Sequence, residues 1–307
     1  MKKSMTDFFN LLIDAMPIIN VLSVVFPVFS IIGIGYAFAA YRKISLEPLI
    51  EVLLYLTIPA LVISSLLKKD IVTADLFAVS GSALIVVLGT GLLSLAYLTV
   101  TGKRKVRGFY LPAMFMNSGN MAFPLALLAF GPEGLAVAVL YYISISLLVY
   151  SLGIYIAKGK GGFSEIFRLP LIYAAAAGVA LNLSGYTLPG PLLTAFDMLG
   201  AATIPVMQVS LGYRLFSAKL SHAGISAAGS LIRILGGFVI AYIVVTAFGI
   251  EGLNRDIILL SSSMPSAVIN FVVSHRYRLD SELVASTVAM STLISVVTTP
   301  LLLLWIM

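Results

Sequence analysis

Apolar residues recur along this chain in runs of about 20, each long enough as a helix to cross about 30 Å of hydrocarbon. The first half predicts spans at 18–40, 49–67, 76–100, 109–130 and 135–157, and the second half at 166–184, 191–216, 223–248, 257–273 and 283–307. Runs such as Leu84-Ile85-Val86-Val87-Leu88 do not alternate apolar with polar residues, as the strands of a membrane barrel must. Backbone amides cannot stay unpaired in lipid, so non-alternating runs must be helices. The connections are short, and residues 1–307 read as one membrane domain.

Composition agrees with the pattern. The chain is 60% hydrophobic and 10% charged, with a mean hydropathy of +1.07; a soluble domain carries about 25% charged residues. The net charge of +6 does not point to nucleic acid, because the basic residues sit in short loops between apolar runs, the footprint of membrane orientation. There is no cysteine, which excludes disulfides and thiolate-bound metals. Met1-Lys2-Lys3 opens the chain, but Asp7 and Asp14 interrupt the apolar stretch that follows and no cleavage site is evident, so a signal peptide is not expected. Phe8, Phe9, Leu12 and Met16 share one helical face, and residues 1–17 read as an interfacial helix leading into the first span.

With the N-terminus outside, the inner loops carry thirteen basic residues: Arg42, Lys43, Lys103, Arg104, Lys105, Arg107, Lys158, Lys160, Arg168, Arg214, Lys219, Arg276 and Arg278. The outer loops carry five: Lys2, Lys3, Lys68, Lys69 and Arg255. That bias places both termini outside, as an even number of spans requires.

The chain also repeats itself. Thr57-Ile58-Pro59 recurs as Thr203-Ile204-Pro205, with Ser64 matching Ser210; Pro27 and Gly35 recur as Pro170 and Gly178; Ala96-Tyr97 recurs as Ala241-Tyr242. The offsets lie between 143 and 146 residues. Five spans per copy make the second copy enter the membrane from the opposite side, an inverted repeat (residues 18–157 and 166–307) of the kind common in secondary transporters. The expected fold is all-α and polytopic, with ten transmembrane helices in two inverted five-helix repeats.

In such carriers the binding site lies where paired helices are broken near mid-membrane. The fourth span reads Met116-Asn117-Ser118-Gly119-Asn120-Met121-Ala122-Phe123-Pro124, and the ninth reads Ser261-Ser262-Ser263-Met264-Pro265-Ser266-Ala267-Val268-Ile269-Asn270. Proline removes a helix donor and glycine frees the backbone, so both spans are expected to break. Free N–H groups at a half-helix start suit a carboxylate. Asn117, Asn120 and Asn270 add neutral donors beside the apolar Phe123, Leu125, Val268 and Phe271. The candidate substrate site is Asn117, Asn120, Pro124, Pro265 and Asn270, with Gln208 just after the repeated Thr-Ile-Pro. Prolines also kink purely structural membrane helices, and Asn or Ser also bonds neighbouring helices; a break in both symmetry-related spans favours a site. Two ionisable residues lie inside spans. Asp197 and Arg233 sit at comparable depth and are expected to form an ion pair or to take part in coupling.

Enzymes fit poorly. His222 and His275 are the only histidines and both lie in loops. H-E-x-x-H, G-x-S-x-G and Walker A sequences are missing; the charged rings or carbonyl filter of a channel are not evident, and a channel remains open as a reading that transport rate would separate from a carrier. No cofactor or metal is called for.

At Asn117-Ser118-Gly119-Asn120-Met121-Ala122-Phe123-Pro124-Leu125, at Phe130-Gly131-Pro132-Glu133-Gly134-Leu135, and from Leu199 through Gly212, the chain resembles the auxin efflux carrier family. That family includes the plant PIN carriers and bacterial permeases assigned to malate or malonate. The resemblance runs from about Val21 to the end, with Asn-x-x-Asn-x-x-x-Pro its most specific part. It implies ten spans in inverted repeats, broken crossover helices four and nine, and a homodimer. It further implies a scaffold of spans one, two, six and seven, and a unit of spans three to five and eight to ten that moves as an elevator. Asn117, Asn120 and Pro124 match the fourth-span crossover; Pro265 and Asn270 match the looser ninth. The linker 158–169 is short, as in prokaryotic members.

The expectation is thus a secondary transporter for a small organic anion, auxin-like or a dicarboxylate, in a prokaryotic inner membrane. The alternatives are a sodium- or proton-coupled symporter of the bile-acid carrier type and a membrane-embedded ligand sensor.

Overall fold

The computed structural model describes residues 2–159 and 163–307, and the side chains of 2–15 and of Phe163 lie outside it. The facial pattern expected of residues 1–17, and Lys160 of the inner loops, therefore fall largely outside the described residues. The backbone from Lys2 runs into the first apolar run without interruption.

Twelve labels cover the helices: α1 (Lys2–Tyr41), α2 (Glu47–Leu66), α3 (Thr73–Val100), α4 (Tyr110–Met114), α5 (Ala122–Lys158), α6 (Phe163–Ile166), α7 (Pro170–Ser184), α8 (Gly190–Phe216), α9 (Ala223–Ala247), α10 (Gly252–Ser262), α11 (Ile269–Arg276) and α12 (Ser281–Ile306). The described residues contain no strand beyond one isolated bridge. Seven helices are long and apolar enough to cross a membrane: α1 from Met16, α2, α3, α5, α8, α9 and α12. The predicted sixth run is a shorter apolar helix, α7, of 15 residues. The predicted fourth and ninth runs are not continuous helices. Residues 115–121 separate α4 from α5, and residues 263–268 separate α10 from α11. Within α5 a kink at Gly131, with φ of 69°, joins two helices just before Pro132; glycine is the residue that takes this angle without strain.

The exterior is apolar. Phe26, Phe77, Leu92 and Val297 are each more than 60% exposed, which a protein surrounded by water does not tolerate over so wide a surface. The inside carries hydroxyls instead: Ser286, Thr287, Ser291, Thr292, Ser295 and Thr299 of α12 are all buried. Most are satisfied by their own helix, as Thr287 Oγ1 donating to Leu283 O at 2.9 Å.

Small residues decide which helices touch. Gly35 of α1 lies against the Val209 backbone of α8, and Gly212 of α8 against the Ile32 backbone. Gly178 of α7 meets Ile63 and Leu66 of α2, and Gly200 of α8 meets Leu61. These close approaches, which a Cβ at Gly35, Gly200 or Gly212 would block against backbone, gather α1, α2, α7 and α8 into one packing group. A second group holds the rest. Gly89 of α3 meets Ile240 of α9, Gly91 meets Met114 of α4, and Gly229 of α9 meets Thr287 of α12. Gly134 of α5 lies near Ile257 of α10.

Loops sort to two ends. At one end the Tyr213 hydroxyl holds loop 42–46, accepting from Ile44 N at 2.8 Å and donating to Arg42 O, and Arg107 Nη2 donates to Ile156 O. At the other end Asn182 Nδ2 donates to Leu66 O and Lys69 O, both at 2.7 Å, and Asn254 Nδ2 donates to Asp75 Oδ1.

Candidate functional site

The two interrupted stretches meet each other. Asn117 N donates to Pro265 O at 2.7 Å and Ala267 N to Phe115 O at 3.0 Å, forming the Met116–Ser266 bridge. Two residues of antiparallel pairing thus satisfy backbone groups that the broken helices leave free, as buried amides require. Side chains reinforce the crossing. Asn270 Nδ2 donates to Phe115 O at 2.9 Å and to Ser266 Oγ at 3.0 Å, and Ser266 N donates to Ser291 Oγ at 3.0 Å.

Each predicted residue can be placed. Asn117 is buried and its Nδ2 has no hydrogen-bond partner. Asn120 lies half-buried in the turn before α5. Pro124 is the third residue of α5, and the N–H groups on either side of it, of Phe123 and Leu125, donate to Gly119 O and Met121 O in the turn before the helix. The interruption therefore precedes the proline. Pro265 lies within the second interruption and supplies the carbonyl for Asn117. Asn270 is the second residue of α11, fully buried, with Oδ1 unpartnered. Gln208 is on α8, buried, with Nε2 unpartnered. Its neighbour Met207 touches Gly119, so α8 packs directly on the crossing. Neither α5 nor α11 has a side-chain cap at its start. A helix start carries partial positive charge, and the unpartnered amide donors of Asn117 and Gln208 are of a kind that suits an anionic oxygen.

The expected pairing of Asp197 with Arg233 does not occur. Asp197 Oδ1 accepts from Lys68 Nζ at 2.6 Å, with both side chains about 40% exposed. Arg233 is fully buried and bonds backbone carbonyls of α4 and α10. Asp197 lies on α8, beside α2 and Lys68, and Arg233 lies on α9, against the ends of α4 and α10, so each meets other partners.

A pocket of about 360 Å³ opens at the end that holds loop 42–46. Ile44, Tyr213 and Arg214 line it from the first packing group, and Val268, Phe271 and Val288 from the second. Val268 and Phe271 bring its wall next to the crossing, and none of Asn117, Asn120, Pro124, Pro265, Asn270 and Gln208 lines it.

A family described as membrane transport protein matches residues 163–303. An uncharacterized transporter of Methanothermobacter thermautotrophicus is 34% identical over 266 residues, which cover 82% of this chain and 86% of the relative. The chain belongs to the auxin efflux carrier family of membrane transporters. An uncharacterized transporter of Methanocaldococcus jannaschii is 29% identical over 202 residues, covering 62% of this chain and 65% of that relative. This family member is a multi-pass membrane protein, consistent with its apolar exterior.

Sequence reasoning overlooked two side chains of the transporter's interior. Ser291 receives the Ser266 amide, and Tyr141, fully buried, shares a 2.8 Å hydrogen bond with Ser262 Oγ. The Ser/Thr series of α12, repeating at helical spacing, was a readable sign of an inward polar face. Tyr141 sits among apolar neighbours and carries no such sign.

Proposed function

We propose that the protein carries a small organic anion across the membrane by alternating access of the elevator type. One observation carries this reading: two interrupted helices cross inside the protein, and buried amide donors without partners, Asn117 Nδ2 and Gln208 Nε2, lie on the crossing stretch and on the helix packed against it. Donors without negative charge nearby suit a carboxylate, and the apolar Phe123 and Val268 suit the organic remainder.

The proposed architecture is ten crossings in two inverted repeats within one domain. Its support is a contact that recurs at the sequence offset. Gly35 packs on Val209, and Gly178, its counterpart, packs on Ile63, the counterpart of Val209. The proposed scaffold is α1, α2, α7 and α8, and the remaining helices form the moving unit; the close glycine contacts among α1, α2, α7 and α8 support that division. The pocket between them would admit substrate from one side. We further propose a homodimer in a prokaryotic inner membrane with both termini outside, as the distribution of Lys and Arg favours.

Charge movement in proteoliposomes on a solid-supported membrane tests the reading against a panel of mono- and dicarboxylates. The expected result is a current for one acid class that disappears in Asn120→Ala while the variant stays folded. A normal current from Asn120→Ala would remove the site. Binding of an acid without flux, under any ion gradient, would favour a sensor.

A further inference from the structure

Arg233 is the one charged side chain that is fully buried among the described residues, and it takes part in none of their ion pairs. It lies on a π-turn, Ile232–Gly236, within α9. Its Nη1 donates to Met114 O at 2.5 Å and Ala113 O at 3.3 Å, and its Nη2 donates to Ser262 O at 2.8 Å. Met114 ends α4 and Ser262 ends α10. The guanidinium therefore joins the C-terminal carbonyls of the two half-helices that run into the crossing. Those ends bear unsatisfied acceptors and the negative pole of the helix dipole. Gly237 leaves room for it: a Cβ there would collide with Arg233 Nη2 and Ser262 O.

Carbonyls converging from the ends of interrupted helices are the groups with which many carriers hold a coupling Na⁺. We propose that Arg233 is a tethered cation that occupies this position in place of a metal ion, so that the crossing is assembled, and the carrier works, without Na⁺. Arg233 acts as a positioning residue, since it touches the helix ends rather than the proposed anion donors. A buried arginine normally needs a carboxylate partner; here two helix termini supply the negative potential. The proposal holds for whichever anion is carried, and it counts against a Na⁺-coupled symporter.

The test is thermal unfolding of the purified full chain in detergent, with NaCl, KCl, choline chloride or low-millimolar guanidinium chloride at matched ionic strength. Wild type is expected to melt at one temperature in Na⁺, K⁺ and choline. Arg233→Ala is expected to melt lower, and to recover about 2 °C when a small cation is bound at about ten times its Kd. Guanidinium or Na⁺ should do this and choline should not. Specific stabilisation of wild type by Na⁺ overturns the proposal. So does Arg233→Ala that melts like wild type, or that responds to neither cation. If Arg233→Ala yields no folded protein, Arg233→Lys decides. A lysine variant that folds and ignores Na⁺ supports a tethered charge, and one that fails to fold or is stabilised by Na⁺ overturns it. A purely structural role would move the melting temperature without creating a cation response.

Discussion

Replacing Asn270 by alanine separates the build of the crossing from its function. The amide donates two hydrogen bonds, at 2.9 Å to Phe115 O and 3.0 Å to Ser266 Oγ. Losing both costs about 2 kcal/mol, at about 1 kcal/mol each. The space left by the truncated side chain adds about 1 kcal/mol. Against this, Oδ1 is buried without a partner, and removing such an acceptor offsets about 2 kcal/mol. Phe115 O is not orphaned, because Ala267 N still donates to it at 3.0 Å. The net loss is about 1 kcal/mol, a fall of about 2 °C in melting temperature for a chain of this size. Transport is expected to suffer much more. Asn270 holds residue 115, the start of the turn that presents Asn117 and Asn120, and a donor displaced by a fraction of its bond length loses its ligand. We expect at least a tenfold fall in initial rate, equivalent to about 1.4 kcal/mol. The assay pairs a thermal melt with proteoliposome flux for whichever acid the wild type moves. Flux within twofold of wild type, or a melting temperature lowered by much more than the worked value, would refute this account of the residue.

Two further outcomes follow from the geometry. Asp197→Asn breaks a half-exposed ion pair with Lys68, worth under about 1 kcal/mol, and is expected to leave both stability and the pH profile of transport unchanged; a shifted profile would restore a coupling role for Asp197. The chain has no cysteine, so Ala285→Cys, on the wall of the pocket beside Arg214, places a unique thiol there. A membrane-impermeant thiol reagent is expected to label it from the Arg214 end only and to be slowed by substrate, and labelling from the opposite end would contradict the proposed access route.

The sequence by itself determined what is local. Apolar runs without alternation dictate helices, because only intrahelical bonding satisfies a backbone in lipid. Gly119 and Pro124, and Pro265 with its serines, marked both interruptions, because glycine and proline act on the backbone wherever the chain places them. The family pattern was carried by the same short stretch. Only the tertiary structure decided partners. Depth along a span is countable, but a residue's direction around the helix axis and the identity of its neighbour depend on packing, so Asp197 met Lys68 and not Arg233. Backbone carbonyls look alike in every sequence, so nothing in the chain announced that Met114 and Ser262 would share one guanidinium. Tyr141 and Ser291 became part of the crossing for the same reason: their hydroxyls matter only once α5 and α12 are packed against it.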